Sequence, residues 1–119
     1  MAKRNALPLT DKMMDVIAAR FRALGEPLRL RILQVLESGE TTVNDIVDAL
    51  GATQSNVSRH LQNLYDAGLV GRRREGSNVY YFISDPAVLK ICEIVCQRAE
   101  QDMRAHLSDL QSRRTRSHT

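Results

Sequence analysis

Eight residues equipped for hydrogen bonding fall within ten positions: Gln54, Ser55, Asn56, Ser58, Arg59, His60, Gln62 and Asn63. Amides, hydroxyls and a guanidinium are the groups that read base edges in a DNA major groove. Between them Val57, Leu61 and Leu64 recur at spacings of four and three. In a helix that spacing turns the apolar set into the core and leaves most of the polar set outside. His60 sits at the edge of the apolar set; its ring either packs on neighbours or reaches the nucleic acid. Further on, Arg72, Arg73 and Arg74 follow one another, ahead of a Glu75-Gly76-Ser77-Asn78 turn. Successive residues of a strand alternate faces, so at least one of these arginines must leave the packed side. Exposed guanidinium groups and the Ser77 hydroxyl there suit phosphates or a minor groove. The same run also suits an ordinary solvated edge that discourages aggregation.

Cys92 and Cys96 are the other chemically active pair. Four residues apart on a helix, they share a face, with Cα atoms about 6 Å apart. Such thiols can begin a site for a thiophilic metal or a metalloid such as arsenite, or form a redox switch. A third thiolate would have to come from a partner chain, because these are the only cysteines. Cysteine also serves as a small core hydrophobe, and that reading stands beside the first. A hydrolase is not supported. Ser55 or Ser58 shares one helix with His60, but no acid partner or oxyanion site is in evident reach.

The elements that must carry these side chains can be laid out from capping signals and periodicity. Residues 1–9 read as a flexible arm. Thr10 caps a helix over Asp11–Leu24, with Met13, Ile17, Phe21 and Leu24 on one side and Met14 beside them. Pro27 suits the first turn of a second helix to about Glu37, whose Leu28, Ile32, Val35 and Leu36 face inward. Thr42, with Asp45 three residues on, caps a third helix whose apolar face is Val43, Ile46, Val47 and Leu50. Gly51 stops it in a left-handed conformation, and Thr53 caps the next helix almost at once. That fourth helix covers about residues 54–67, and a hairpin of about residues 70–83 follows. The last helix runs from about residue 86 to 110, and residues 112–119 read as a flexible basic tail. The domain proper is thus residues 10–111: mainly α, with a small β-hairpin wing beside a helix-turn-helix.

Composition agrees with a single soluble domain. The 119 residues are 43% hydrophobic and 26% charged. A formal charge of +3 permits a polyanionic partner without requiring one, so the placement of the charge decides. No apolar run approaches a membrane span and no start resembles a secretory signal, so no membrane is expected and the cytoplasm is the default location. The last helix carries an apolar stripe of Val88, Cys92, Val95, Ala99, Met103, His106 and Leu110, widened by Leu89, Ile91, Cys96 and Leu107. A stripe of that width either folds back on its own domain or pairs two copies. Pairing through first and last helices would set two reading helices against a two-fold symmetric double-stranded DNA operator.

Three ordered motifs resemble those of one family. Ala23-Leu24-Gly25-Glu26-Pro27-Leu28-Arg29-Leu30-Arg31-Ile32-Leu33 is similar to the opening motif of the ArsR/SmtB repressors. SNVSRHLQNL, Ser55 to Leu64, is similar to their recognition helix. Ala67-Gly68-Leu69-Val70, the arginine-rich wing and Tyr80-Tyr81 follow in the same order. The resemblance covers about residues 13–110. It implies a homodimeric winged helix-turn-helix repressor with N- and C-terminal dimerisation helices, which leaves DNA when an effector binds. It also implies that Gln54, Ser55, Ser58 and Arg59 approach DNA, whereas His60 packs near the recognition helix or touches backbone.

The chain departs from the family at both of its usual metal sites. The thiolate site would fall on Val43-Asn44-Asp45-Ile46-Val47, which holds no cysteine. The zinc-type site would fall on Asp85, Ala87, Arg98 and Gln101, which keeps a single metal-binding side chain. No metal is therefore expected at either place, and no cofactor is certain. An alternative to DNA binding is a winged-helix module that binds another protein through its apolar helices. A strong salt dependence separates the two, because only the DNA complex releases counterions.

Overall fold

The computed structural model describes residues 10–117, with side chains to residue 114. The expected arm at residues 1–9 and the last two residues of the expected tail lie outside the described residues. The chain divides into two units, residues 1–85 and 86–119.

The first unit contains α1 (Asp11–Leu24), α2 (Pro27–Glu37), β1 (Thr41–Thr42), α3 (Val43–Leu50), α4 (Gln54–Asp66), β2 (Val70–Glu75) and β3 (Asn78–Ile83). Each helix starts where a side chain can satisfy its orphan backbone N–H groups. The hydroxyls of Thr10, Thr42 and Thr53 accept from the amides of Met13, Asp45 and Asn56 at 3.2, 3.2 and 3.3 Å. The Glu26 carboxylate does the same for Arg29 at 3.0 Å, directly ahead of Pro27.

The core lies where α2, α3 and α4 meet the sheet. Ile32, Leu33, Ile46, Val57, Leu61, Leu64 and Leu69 are fully enclosed. Leu33 is buried while Leu28 and Val35 are only half-covered, so the inward face of α2 is rotated from the one its periodicity suggested. In α3 only Ile46 is fully enclosed, because this short helix lies on the outside of the bundle. In α1 only Ala23 is buried. Met14, Val16 and Phe21 stay open, Phe21 at 59% of its full surface.

The sheet has three strands in the order β1-β3-β2, all antiparallel. The two-residue β1 has no signal in the sequence. Thr41 and Thr42 pair with Tyr81 and Tyr80, tying the root of the wing to the start of α3. In β2 and β3, Arg73 lies opposite Tyr80 and Arg72 opposite Tyr81. Buried Val70 and Tyr81 mark the core side of the hairpin, so Arg72 and Arg74 share the core-side face and Arg73 takes the outer one.

The second unit is one helix, α5 (Pro86–Ser117). It continues seven residues past the expected end at Leu110, so the supposed flexible tail is helical to Ser117. Three i,i+4 ion pairs support it: Arg98–Asp102, Arg104–Glu100 and Arg113–Asp109. Arginines clustered at the C-terminal end also complement the helix dipole. A polar, basic cluster suggests fraying when read as composition, whereas at this end of a helix it favours the last turns. Ile94, Val95, Met103 and Leu107 of α5 are all more than half exposed.

Gly51 closes α3 at φ +66°, and no atom would touch a Cβ added there. Gly51→Ala should therefore cost only the left-handed backbone penalty, about 1–2 kcal/mol. Chemical denaturation should show a lower midpoint at unchanged slope; an unaltered midpoint would mean that the turn relaxes to another conformation.

Candidate nucleic-acid interface

The outward face of α4 is built by its inward one. Val57, His60, Leu61 and Leu64 are buried, which leaves Gln54, Ser55, Asn56, Ser58, Arg59, Gln62 and Asn63 exposed. Several of these side chains are already oriented. The Arg59 Nη2 donates to Asn56 Oδ1 at 3.3 Å, and the Ser55 and Thr53 hydroxyls lie 3.5 Å apart. A guanidinium steadied on a neighbouring amide has less freedom to lose on meeting any ligand.

The wing joins this surface through Arg72. Its guanidinium lies 4.0 Å from the centroid of the Tyr65 ring on α4, and Nη1 donates to Gln62 Oε1 at 3.2 Å. Gln62 in turn donates to Asp66 Oδ1 at 2.9 Å. A cation held over an aromatic face and by an amide locks strand β2 to the recognition helix. The neighbouring tyrosine side chains, Tyr81 foremost, raise the already high pKa of Arg72.

Arg73 has a different environment. Its Nε donates to Glu40 Oε2 at 3.0 Å, its Nη1 to Glu75 Oε2 at 2.8 Å, and its guanidinium lies 4.6 Å from the Tyr80 ring centroid. These bonds push the Arg73 pKa further up, and the bond to Arg73 pushes the Glu40 pKa down. The three wing arginines have separate environments. Arg72 is fastened to α4 and Arg73 to two carboxylates, while Arg74 has no ion pair among the described residues. Ser77 sits exposed in the turn beyond it.

His60 must be moved off the DNA-facing set. It is 7% exposed and turned inward, with Nδ1 3.8 Å from Glu26 Oε2 and no hydrogen-bond partner. The acid that the sequence did not reveal is thus Glu26, thirty-four residues earlier in the chain. The pair does not make a nucleophile, because neither Ser55 nor Ser58 hydrogen-bonds the ring among the described residues. Burial lowers the His60 pKa, Glu26 opposes that, and Arg59 and Arg29 add to it.

Cys92 is half-buried and Cys96 exposed. Burial, then the neighbouring Cys96, raises the Cys92 pKa, which keeps this thiol protonated near neutrality. Among the described residues no three His, Cys, Asp or Glu side chains converge as metal ligands. No described helix is long and apolar enough to cross a membrane. Glu40, Glu26 and Tyr65 are the participants that sequence reasoning missed, as is the role of Gln62 in holding Arg72. Glu40 and Glu26 had no local signal, since their partners lie far away in the chain.

Comparison with known proteins agrees with this geometry. The model for "Bacterial regulatory protein, arsR family" matches residues 26–71, which run from the cap of α2 into β2. A probable mercury resistance operon repressor of Streptomyces lividans is 43% identical over 74 residues, covering 62% of this chain and 59% of that protein. The transcriptional regulator NmtR of Mycobacterium tuberculosis is 33% identical over 97 residues, covering 82% of this chain and 81% of that one. Among solved structures, a homodimeric winged helix-turn-helix DNA-binding domain from Mycobacterium bovis superposes with a TM-score of 0.73 at 32% identity. It covers 85% of this chain and 94% of that one.

The His60 environment has a pH consequence. Its folded-state pKa lies below the ordinary 6.5, so as pH falls the unfolded chain takes up its proton first. Stability from this group is complete above about 6.5 and is lost as pH falls through the folded pKa. Unfolding measured from pH 7.5 downward should show that loss, and His60→Gln should flatten it. An identical slope in the variant would assign the acid sensitivity to other groups.

Proposed function

We infer the action of this protein from one premise: the chain belongs to the arsR family of bacterial regulatory proteins. It is a DNA-binding transcriptional regulator that represses by occupying its operator and works in the cytoplasm, where the DNA is. The observation that carries this reading is the outward face of α4, where amides, hydroxyls and one guanidinium stand above a fully buried apolar face. Those groups match the donor and acceptor pattern of the major groove. Arg59 supplies the strongest base-reading group, with Gln54, Ser55, Asn56, Ser58 and Asn63 around it. Arg74 and Ser77 extend the contact to the backbone beside the wing, and Arg72 supports them from the edge of α4.

The working form is a homodimer. The exposed apolar side chains of α1 and, separately, of α5 support this, since such surface is costly to leave in water. The Mycobacterium bovis relative is described as homodimeric. Two copies place two recognition helices for half-sites one helical turn, about 34 Å, apart. The operator is accordingly two-fold symmetric.

Regulation by a thiol-reactive effector is supported by one feature, the Cys92 and Cys96 pair one helical turn apart on α5, with Cys96 open to solvent. The relative named for mercury resistance is consistent with a soft ion. A ligand there would act by changing how two copies meet, and so the separation of their reading helices.

Four measurements test these assignments. Sedimentation at micromolar concentration should give a dimer; a monomer would remove the two-fold operator from the proposal. Arg59→Ala should cost about 1–3 kcal/mol on a cognate site and relax preference at one base pair. Arg74→Ala should instead weaken all sequences alike and lower the salt slope by about 0.9. A Cys92→Ser, Cys96→Ser double variant should hold its operator in arsenite, cadmium or mercuric ion while the native protein lets go. If the native protein is equally indifferent, the two thiols only pack.

A further inference from the structure

The two faces of the wing differ in charge. On the face it shares with α4, Arg72 and Arg74 contribute two positive charges, with Asp66 held by Gln62 at the helix end. On the opposite face one guanidinium, Arg73, is bonded to two carboxylates, Glu40 and Glu75, so that face carries a net negative charge. Glu40 is not part of the hairpin. It stands in the turn between α2 and β1 and reaches Arg73 across thirty-three residues of sequence. All three side chains of the cluster are exposed, so their charges act on whatever approaches through solvent.

We propose that Glu40 and Glu75 are positioning residues that hold Arg73 away from phosphates and make the wing one-sided. DNA is thereby admitted on the face shared with the recognition helix and repelled on the other. The inference rests on the DNA-binding reading above. Non-specific binding is dominated by cations meeting phosphates, and any exposed guanidinium adds to it without regard to sequence. Neutralising one guanidinium with two carboxylates lowers that background. Like charge on the outer face also disfavours poses in which α4 misses the groove. Specificity gains because misplaced complexes weaken while the cognate contacts stay untouched. Arg73 keeps a mechanical role as well. With Tyr80 beneath it and Glu40 beyond, it braces the hairpin root against the α2–β1 turn.

The test compares variants on a duplex of arbitrary sequence across a range of salt. Glu40→Gln with Glu75→Gln releases Arg73. It should steepen the salt slope by about 0.9 and so gain about threefold in affinity for each fourfold dilution of salt. Adding Arg73→Ala to that pair should cancel the extra slope. Asp11→Asn with Asp15→Asn makes the same change in net charge at exposed positions on α1 and should leave the slope alone. Arg73→Ala by itself should also leave the slope at its native value, whatever it does to stability. The proposal is overturned if the carboxylate variant behaves like the control pair, if its extra slope survives loss of Arg73, or if Arg73→Ala alone lowers the slope by about one. A native protein whose binding ignores salt would instead overturn the DNA-binding reading itself.

Discussion

The inward face of α4 is the constraint on which the other features depend. Val57, Leu61 and Leu64 are wholly withdrawn from water, and His60 almost so. Burying each of these aliphatic side chains is worth about 1.5–3 kcal/mol, far more than any exposed polar pair nearby. A rotation of α4 about its axis would expose that set, so the helix has one permitted orientation, and the outward residues take theirs from it. Base reading requires side chains fixed to within fractions of an ångström. Here the outward side chains take their position from packing on the opposite side of the helix.

The remaining elements are fitted to that helix. Gly51 and Thr53 compress the link from α3 into three residues, one in a left-handed conformation and one accepting a backbone N–H. Leu69 and Val70 carry the chain from α4 straight into β2 while staying buried, which fixes where the wing begins. Arg72 then ties the wing back to Tyr65 and Gln62. The hydrogen bond between α4 and wing is exposed, so its main effect is on geometry and not on stability.

Much of this was legible in the sequence because its causes are local. Threonine caps, the proline at the head of α2, the glycine after α3 and the apolar periodicity of α4 all act within one or two turns. The helices up to α4 and both hairpin strands fell within about a residue of expectation for that reason. What escaped notice depends on distant residues. Glu26 beside His60 and Glu40 beside Arg73 are brought together only by the fold, and strand β1 exists only because β3 arrives next to it. The end of α5 was misjudged for another reason. A polar, arginine-rich run looks like a loose tail until its spacing against Asp109 is counted. The exposed polar face of α4 was legible by residue type, but the separate partners of Arg72, Arg73 and Arg74 were not.

The short strand β1 sets the mechanics of the wing. It supports β3 only at Tyr80 and Tyr81, so beyond Val79 the hairpin has no third strand alongside. The wing is therefore a cantilever, clamped at its root by β1, Arg72 and the Glu40–Arg73 bonds and free at the Gly76 tip. A beam held this way yields first at its end. If the wing meets DNA as proposed, the tip would follow a groove wider or narrower than average while α4 stays fixed in the core. Sequence-dependent groove width would then enter the binding energy as bending of the wing. Within the hairpin, compliance is thus concentrated at the tip, the point furthest from the packed face of α4.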